Sequence, residues 1–239
     1  MSELSYMDAN IREIRERMRA AEERSRDRFG KRDVSLLAAV KYTDAAHINY
    51  LHRVLGVNDV GENRVQQLLE HWETVDREGL NFHFIGTLQT NKVKYIADKV
   101  CMIHSLDSLK LAKEIERQMA KLGKSMDVLV EINSGGEENK SGVDPNEAAE
   151  LCLALGDLPH VNLRGFMTMA PKCEKNEDYR KFFQETFRLG LDIWEKTLHN
   201  IGRPLFSMGM SGNFEVAIEE GADMVRVGRA LFAEPLEDE

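Results

Sequence analysis

The chain has 239 residues, 42% of them hydrophobic and 31% charged, with a formal net charge of −9. The acidic balance argues against a general nucleic-acid-binding face, and the apolar runs are strand-length, far short of a membrane span. Three cysteines (Cys101, Cys152 and Cys173), without a C-x-x-C pair, and seven scattered histidines, without an H-x-x-x-H, predict neither a disulfide framework nor a metal site. The charged N-terminus has no apolar stretch of signal-peptide type, which points to a cytoplasmic location.

Residues 5–28 read as a helix, with Met7, Ile11, Ile14 and Met18 on one apolar stripe. Strands are then expected at Val34–Val40, Asp59–Val60, Asn81–Ile85, Met102–Ser105, Val128–Ile132, Asn162–Phe166, Pro204–Ser207 and Met224–Val227. Helical patterns lie between them at Asp44–Leu55, Asn63–Asp76, Asn91–Asp98, Ser108–Lys121, Pro145–Leu155, Asn176–Asn200 and Asn213–Glu220, and Arg229–Phe232 follows the last strand. Pro145 suits a first helical turn, and Gly123, Gly156 and Gly221 suit helix ends. Eight strands alternating with helices predict an α/β fold, a single (β/α)8 TIM barrel with an extra N-terminal helix. The competing doubly wound sheet is disfavoured because no G-x-G-x-x-G follows the first strand. The expected organisation is a helix over 1–30, a barrel over 31–235 and an acidic tail over 236–239.

The special residues fall at strand ends. Lys41 closes Ser35-Leu36-Leu37-Ala38-Ala39-Val40, with Leu37 and Ala39 expected to face the barrel interior and Leu36, Ala38 and Val40 the helices. An amine at the rim of a core can act as a nucleophile, or simply snorkel to a carboxylate. Strand seven runs into Ser207-Met208-Gly209-Met210-Ser211-Gly212-Asn213, and strand eight through Arg226 into Gly228-Arg229-Ala230. Small residues opening helices after strands seven and eight make a phosphate site in barrels. Barrel closure brings strand eight beside strand one, so Arg226 is expected near Lys41. Lysine, phosphate cradle and arginine together suggest pyridoxal 5′-phosphate (PLP): a Schiff base on the lysine, and an arginine donating to the ring nitrogen. A sugar phosphate handled by an aldolase-type Schiff base is the alternative. Asn63 after strand two, His83 on strand three, Asn133 after strand five and Met167 on strand six add to the same face. Taken singly, each also reads as a cap or core residue.

These segments resemble the pyridoxal phosphate homeostasis family, also called the YggS or PROSC family. The resemblance rests on Ala-Val-Lys41, Gly61-Glu-Asn-x-Val-Gln66, His83-Phe-Ile-Gly-x-Leu-Gln-x-Asn-Lys92, Asn139-Lys-Ser-Gly142, Arg164-Gly-x-Met167, Met208-Gly-Met-Ser211 and Val225-Arg-x-Gly228. It implies a fold like the N-terminal barrel of alanine racemase, PLP on Lys41, and Arg226 near the pyridine nitrogen. It further implies phosphate contacts from Ser211 and the backbone at Gly228 and Arg229, and places Asn63 and Met210 close to the cofactor. Lys140 matches a second family lysine. Three positions depart from the family pattern: Ala39-Val40 before the lysine, Asn213 in place of an acidic residue, and Arg229 in place of a hydroxyl residue.

The related racemases take a second base, a tyrosine, from a β-rich second domain, and the eighth βα unit here ends near Phe232. The expectation is a PLP carrier that buffers or delivers the cofactor, with apo-PLP enzymes as candidate partners, and affects vitamin B6 and amino-acid balance without efficient catalysis. A low-activity amino-acid racemase is the alternative. A monomer is expected, with the N-terminal helix as the element through which a dimer could form.

Overall fold

In a computed structural model, residues 4–41, 43–136, 141–197 and 202–234 are described. Eight strands alternate with helices: β1 (Ser35–Ala39), β2 (Asp59–Glu62), β3 (Asn81–Phe84), β4 (Met102–Leu106), β5 (Met126–Ile132), β6 (Val161–Thr168), β7 (Leu205–Met210) and β8 (Met224–Val227). Each pairs in parallel with the next, and β8 pairs with β1, closing the barrel. The expected fold class is therefore the observed one.

The helices are α1 (Tyr6–Arg24), α2 (Arg26–Phe29), α3 (Ala45–Arg53), α4 (Val65–Thr74), α5 (Val93–Ile96), α6 (Leu109–Leu122), α7 (Ala148–Leu155), α8 (Arg180–Thr197), α9 (Phe214–Glu219) and α10 (Arg229–Phe232). Several begin where side chains satisfy orphan amides: Asp44 accepts from the His47 N–H at 3.0 Å, and Ser108 from that of Leu111 at 3.4 Å. Gly123 ends α6 in the left-handed region.

Local signals misplaced four helix boundaries. The N-terminal helix breaks at Ser25, whose hydroxyl donates to the Glu22 carbonyl and accepts from Arg32, so that α2 forms a separate turn. Pro145 precedes α7 rather than opening it. The Asp144 carboxylate binds the Asn146 N–H at 2.8 Å, which holds residues 145–147 in a turn. Thr90–Lys92 and Asn176–Tyr179 are 3-10 turns leading into α5 and α8, and residues 198–200 of the expected Asn176–Asn200 helix, like the tail 236–239, lie outside the described residues.

The α1 stripe of Met7, Ile11, Ile14, Met18 and Ala21 is buried in the same apolar layer as Ala38 and Val40. Arg17 binds Glu215 at 2.7 Å, Arg24 binds Glu219 at 2.6 Å, and Asn10 donates to the Leu231 carbonyl at 3.0 Å, so α1 is fastened over α9 and α10. Leu37 and Ala39 instead form a separate cluster with Ile85 and Met224 inside the barrel. The expected alternation along β1 is thus observed. No helix among the described residues is long and apolar enough to cross a membrane.

Candidate functional site at the C-terminal mouth of the barrel

Lys41 sits exposed in the turn that leaves β1 at the C-terminal mouth. Two interactions fix that turn: the Thr43 N–H donates to the Val40 carbonyl at 3.3 Å, and His71 Nε2 donates to the Thr43 carbonyl at 3.1 Å. His71 Nδ1 in turn bonds the buried carboxyl of Glu62. Burial pushes the Glu62 carboxyl up, and the hydrogen bond to Glu62 raises His71. The β2 end thus buttresses the segment carrying Lys41, a role for Glu62 and His71 that no local motif announced.

Asn63 follows Glu62, and α4 starts without using it: Arg64 is the cap residue and makes no side-chain capping bond. The Asn63 side-chain oxygen is buried and has no partner among the described residues. Such an amide oxygen beside the mouth has acceptor capacity left for a ligand.

Arg226 is 4% exposed. Its register partner on β1 is Leu37, so its backbone lies about 7 Å of strand rise below Ala39, the last residue of β1. Its long side chain carries the guanidinium among β6 and β7. Nη1 donates to the Ser207 carbonyl at 2.6 Å and hydroxyl at 2.7 Å, and Nη2 donates to the Thr168 carbonyl at 2.9 Å. A guanidinium has five N–H donors; these bonds use three and leave two without a partner among the described residues. Burial lowers the Arg226 pKa to about 10, so the group remains a cation at neutral pH.

The β7 and β8 ends converge on the Ser211 hydroxyl, which accepts from the Gly228 N–H at 3.2 Å and the Ala230 N–H at 3.4 Å. The Gly228 and Ala230 amides are thus the ones that hold the Ser211 hydroxyl in place. Arg229 is exposed at the start of α10. The helices that follow, α9 and α10, span six and four residues. With so little helix behind them, the donors of this corner are the individual amides and the hydroxyl rather than a helix macrodipole. Gly228 permits it: a Cβ there would stand 2.8 Å from the Ala39 carbonyl oxygen. Gly209 has φ +90°, and a Cβ on it would stand 2.6 Å from that of Ala217. Asn213 accepts from the Met210 N–H at 2.8 Å, closing the loop with an amide where the family pattern has an acid.

Of the other expected residues, Met210 is partly exposed at the end of β7, and Asn133 follows β5 with its N–H on the Val143 carbonyl at 3.0 Å. Met167 is fully buried inside the barrel, in register with Glu131 and Ser207. His83 lies in the barrel interior, bonded to His104 at 3.0 Å and to Asp59 at 3.3 Å. Lys140 lies outside the described residues.

Ser207, His104 and Glu131 are interior residues that local reading passed over. Glu131 is buried, accepts from the Ser141 hydroxyl at 2.7 Å, and has its pKa pushed up by burial. The period-two alternation that places Leu37 inward would have found them if carried through β4, β5 and β7.

The site residues fit PLP on three counts: unused N–H donors on a buried cation, an asparagine oxygen without a partner among the described residues, and a hydroxyl that two amides hold while its own proton stays available.

Residues 3–235 match the family described as alanine racemase, N-terminal domain. The chain is 44% identical to the pyridoxal phosphate homeostasis protein of Aquifex aeolicus over 205 residues, 86% of this chain and 89% of that one. It is 35% identical to the protein of the same name from Pseudomonas aeruginosa, over 96% of both chains. Among solved structures, PipY of Synechococcus elongatus, with PLP bound, superposes with a TM-score of 0.76 at 30% identity, covering 84% of this chain and 92% of that chain.

Proposed function

The chain belongs to the pyridoxal phosphate homeostasis proteins, within the alanine racemase N-terminal domain family, and from that premise we propose that it binds PLP in the barrel mouth, attached to Lys41. In this reading it serves intracellular vitamin B6 homeostasis and amino-acid balance by storing, buffering or delivering the cofactor. PLP, when bound, supplies an aldehyde that condenses with a lysine amine with loss of one water, and a phosphate that requires hydrogen-bond donors.

The chain's own residues divide this work. Lys41 supplies the amine. The Ser211 hydroxyl, held in place by two amides, donates its own proton to the phosphate, with the backbone at Gly228 and Arg229 beside it. Arg226 offers one of its two remaining N–H groups to the ring nitrogen, and Asn63 and Met210 flank the ring. The observation that carries the reading is Arg226: a buried cation held by three bonds, with two donors left over, on the strand next to the lysine's.

The same arginine supports a carrier rather than an efficient enzyme. A guanidinium donates and cannot accept, so it leaves the ring nitrogen without a proton and weakens the ring as an electron sink. Racemisation also needs a proton carrier on each face of the substrate carbon. Among the described tyrosines, Tyr50 donates to Asp8 at 2.9 Å and Tyr179 interacts with the Cys173 backbone. Assay of the PLP-loaded protein with D- and L-amino acids tests this. Retained cofactor without sustained turnover is expected, and turnover that disappears in Lys41→Ala would overturn the carrier reading.

A further inference from the structure

The interior of a (β/α)8 barrel is ordinarily filled by layers of branched apolar side chains. Here a file of polar groups crosses it. Arg226 on β8 donates to the Ser207 hydroxyl on β7 at 2.7 Å. That hydroxyl meets His104 Nδ1 on β4 at 3.1 Å, His104 Nε2 meets His83 Nδ1 on β3 at 3.0 Å, and His83 Nε2 meets Asp59 Oδ1 on β2 at 3.3 Å. Ser207 and His104 are fully buried and His83 nearly so. Asp59 opens β2 at the barrel's N-terminal rim, about 13 Å of strand rise from Asn63 at the mouth.

The two ends give the file a direction. Arginine can only donate, and an ionised aspartate can only accept. With the Ser207 oxygen accepting from Arg226, its proton is free for His104 Nδ1. His104 must then carry its proton on Nε2 and give it to His83 Nδ1, and His83 must carry its own on Nε2 and give it to Asp59. Reversing either ring would set two donors or two acceptors face to face in a dry interior. The surroundings agree: burial, with the neighbouring His83 and Arg226, holds His104 well below the usual histidine range, and the His83 bond holds Asp59 below the usual carboxylate range.

We propose that Ser207, His104 and His83 are positioning residues that, anchored on Asp59, hold the Arg226 guanidinium with one of its remaining donors toward the acceptor nitrogen of a ring bound in the mouth. This rests on the PLP reading of the site and extends it across the barrel to Asp59, a residue that does not line the mouth. The file keeps Arg226 rotationally fixed, so its effect falls on ligands that present a ring acceptor and spares those that do not.

The test compares PLP with its 1-deaza analogue, in which a C–H replaces the ring nitrogen, on the full-length protein, the shape-conserving Asp59→Asn and the ring-conserving His104→Phe. Wild type should hold PLP about tenfold more tightly than the analogue, the size of one hydrogen bond to a charged group. His104→Phe should bring that preference to about threefold or less, with analogue binding unchanged, and Asp59→Asn should reduce it part-way. An undiminished preference in both variants, or equal losses for both ligands, overturns the positioning role. Failure of wild type to form a borohydride-stable adduct with PLP would instead overturn the functional reading itself. Independently of any ligand, ¹⁵N NMR of the imidazoles should show the proton of His104 on Nε2 and a proton on His83 Nε2. A His104 ring protonated at Nδ1, or a His83 ring without an Nε2 proton, overturns the file.

Discussion

Arg226 and Ser207, on adjacent strands, are joined twice: one guanidinium nitrogen reaches both the carbonyl oxygen, at 2.6 Å, and the hydroxyl oxygen, at 2.7 Å, of the same serine. The carbonyl bond fixes where the guanidinium sits, and the hydroxyl bond links it to His104. Ser207→Ala keeps the first and removes the second, leaving buried donors and acceptors without a partner. A loss of about 1–3 kcal/mol of stability is expected in urea unfolding. No loss would mean that the hydroxyl contributes nothing to the barrel interior.

The Ser211 hydroxyl, which the Gly228 and Ala230 amides hold in place, is assigned to the phosphate. Ser211→Ala should therefore weaken PLP by about tenfold and leave binding of pyridoxal, which has no phosphate, nearly unchanged. Competition between the two ligands measures this, and equal weakening of both would move the phosphate elsewhere.

Gly228 and Gly212 lie in the two loops that form that corner, but only one is crowded. A Cβ on Gly228 would stand 2.8 Å from the Ala39 backbone oxygen, whereas one on Gly212 would meet nothing within 4 Å. Gly228→Ala must push β8 away from β1 beneath Lys41, and should lower PLP retention by about tenfold or more. Gly212→Ala is expected to leave it unchanged. Equal dissociation rates for the two variants would contradict the close approach.

His71 ties Glu62 to the turn carrying Lys41, and the tie depends on pH. Its hydrogen bond to Glu62 raises its pKa above the ordinary 6.5, so the folded state binds this proton more tightly than the unfolded state does. The stabilisation is fully present below about pH 6.5 and is lost as pH rises through the folded value. The stability difference between wild type and His71→Gln should be largest in mild acid and shrink toward alkaline pH in denaturant titrations. A difference that grows with pH would contradict the pairing.

The barrel was legible because each strand's two faces obey elementary alternation. Leu37 and Ala39 turn inward and Ala38 and Val40 outward, as the pattern of β1 demands. Lys41, Arg226, Ser211 and Gly228 were legible because strand ends and glycines announce themselves locally. The depth of Arg226 below the end of β1 was not, since it depends on the β1–β8 register, which no single segment carries. Nor was the file through His104 and Ser207, residues 103 positions apart in sequence, whose pairing exists only once the barrel closes. The start of α7 was misjudged because Asp144 offers the backbone a side-chain turn that competes with the helix Pro145 would otherwise open.

Attachment of PLP to Lys41 is read out by incubation with PLP, borohydride reduction and peptide mapping. A reduced adduct is expected on the peptide containing Lys41, absent in Lys41→Ala. An adduct confined to another lysine, such as Lys140, or no adduct at all, would contradict it.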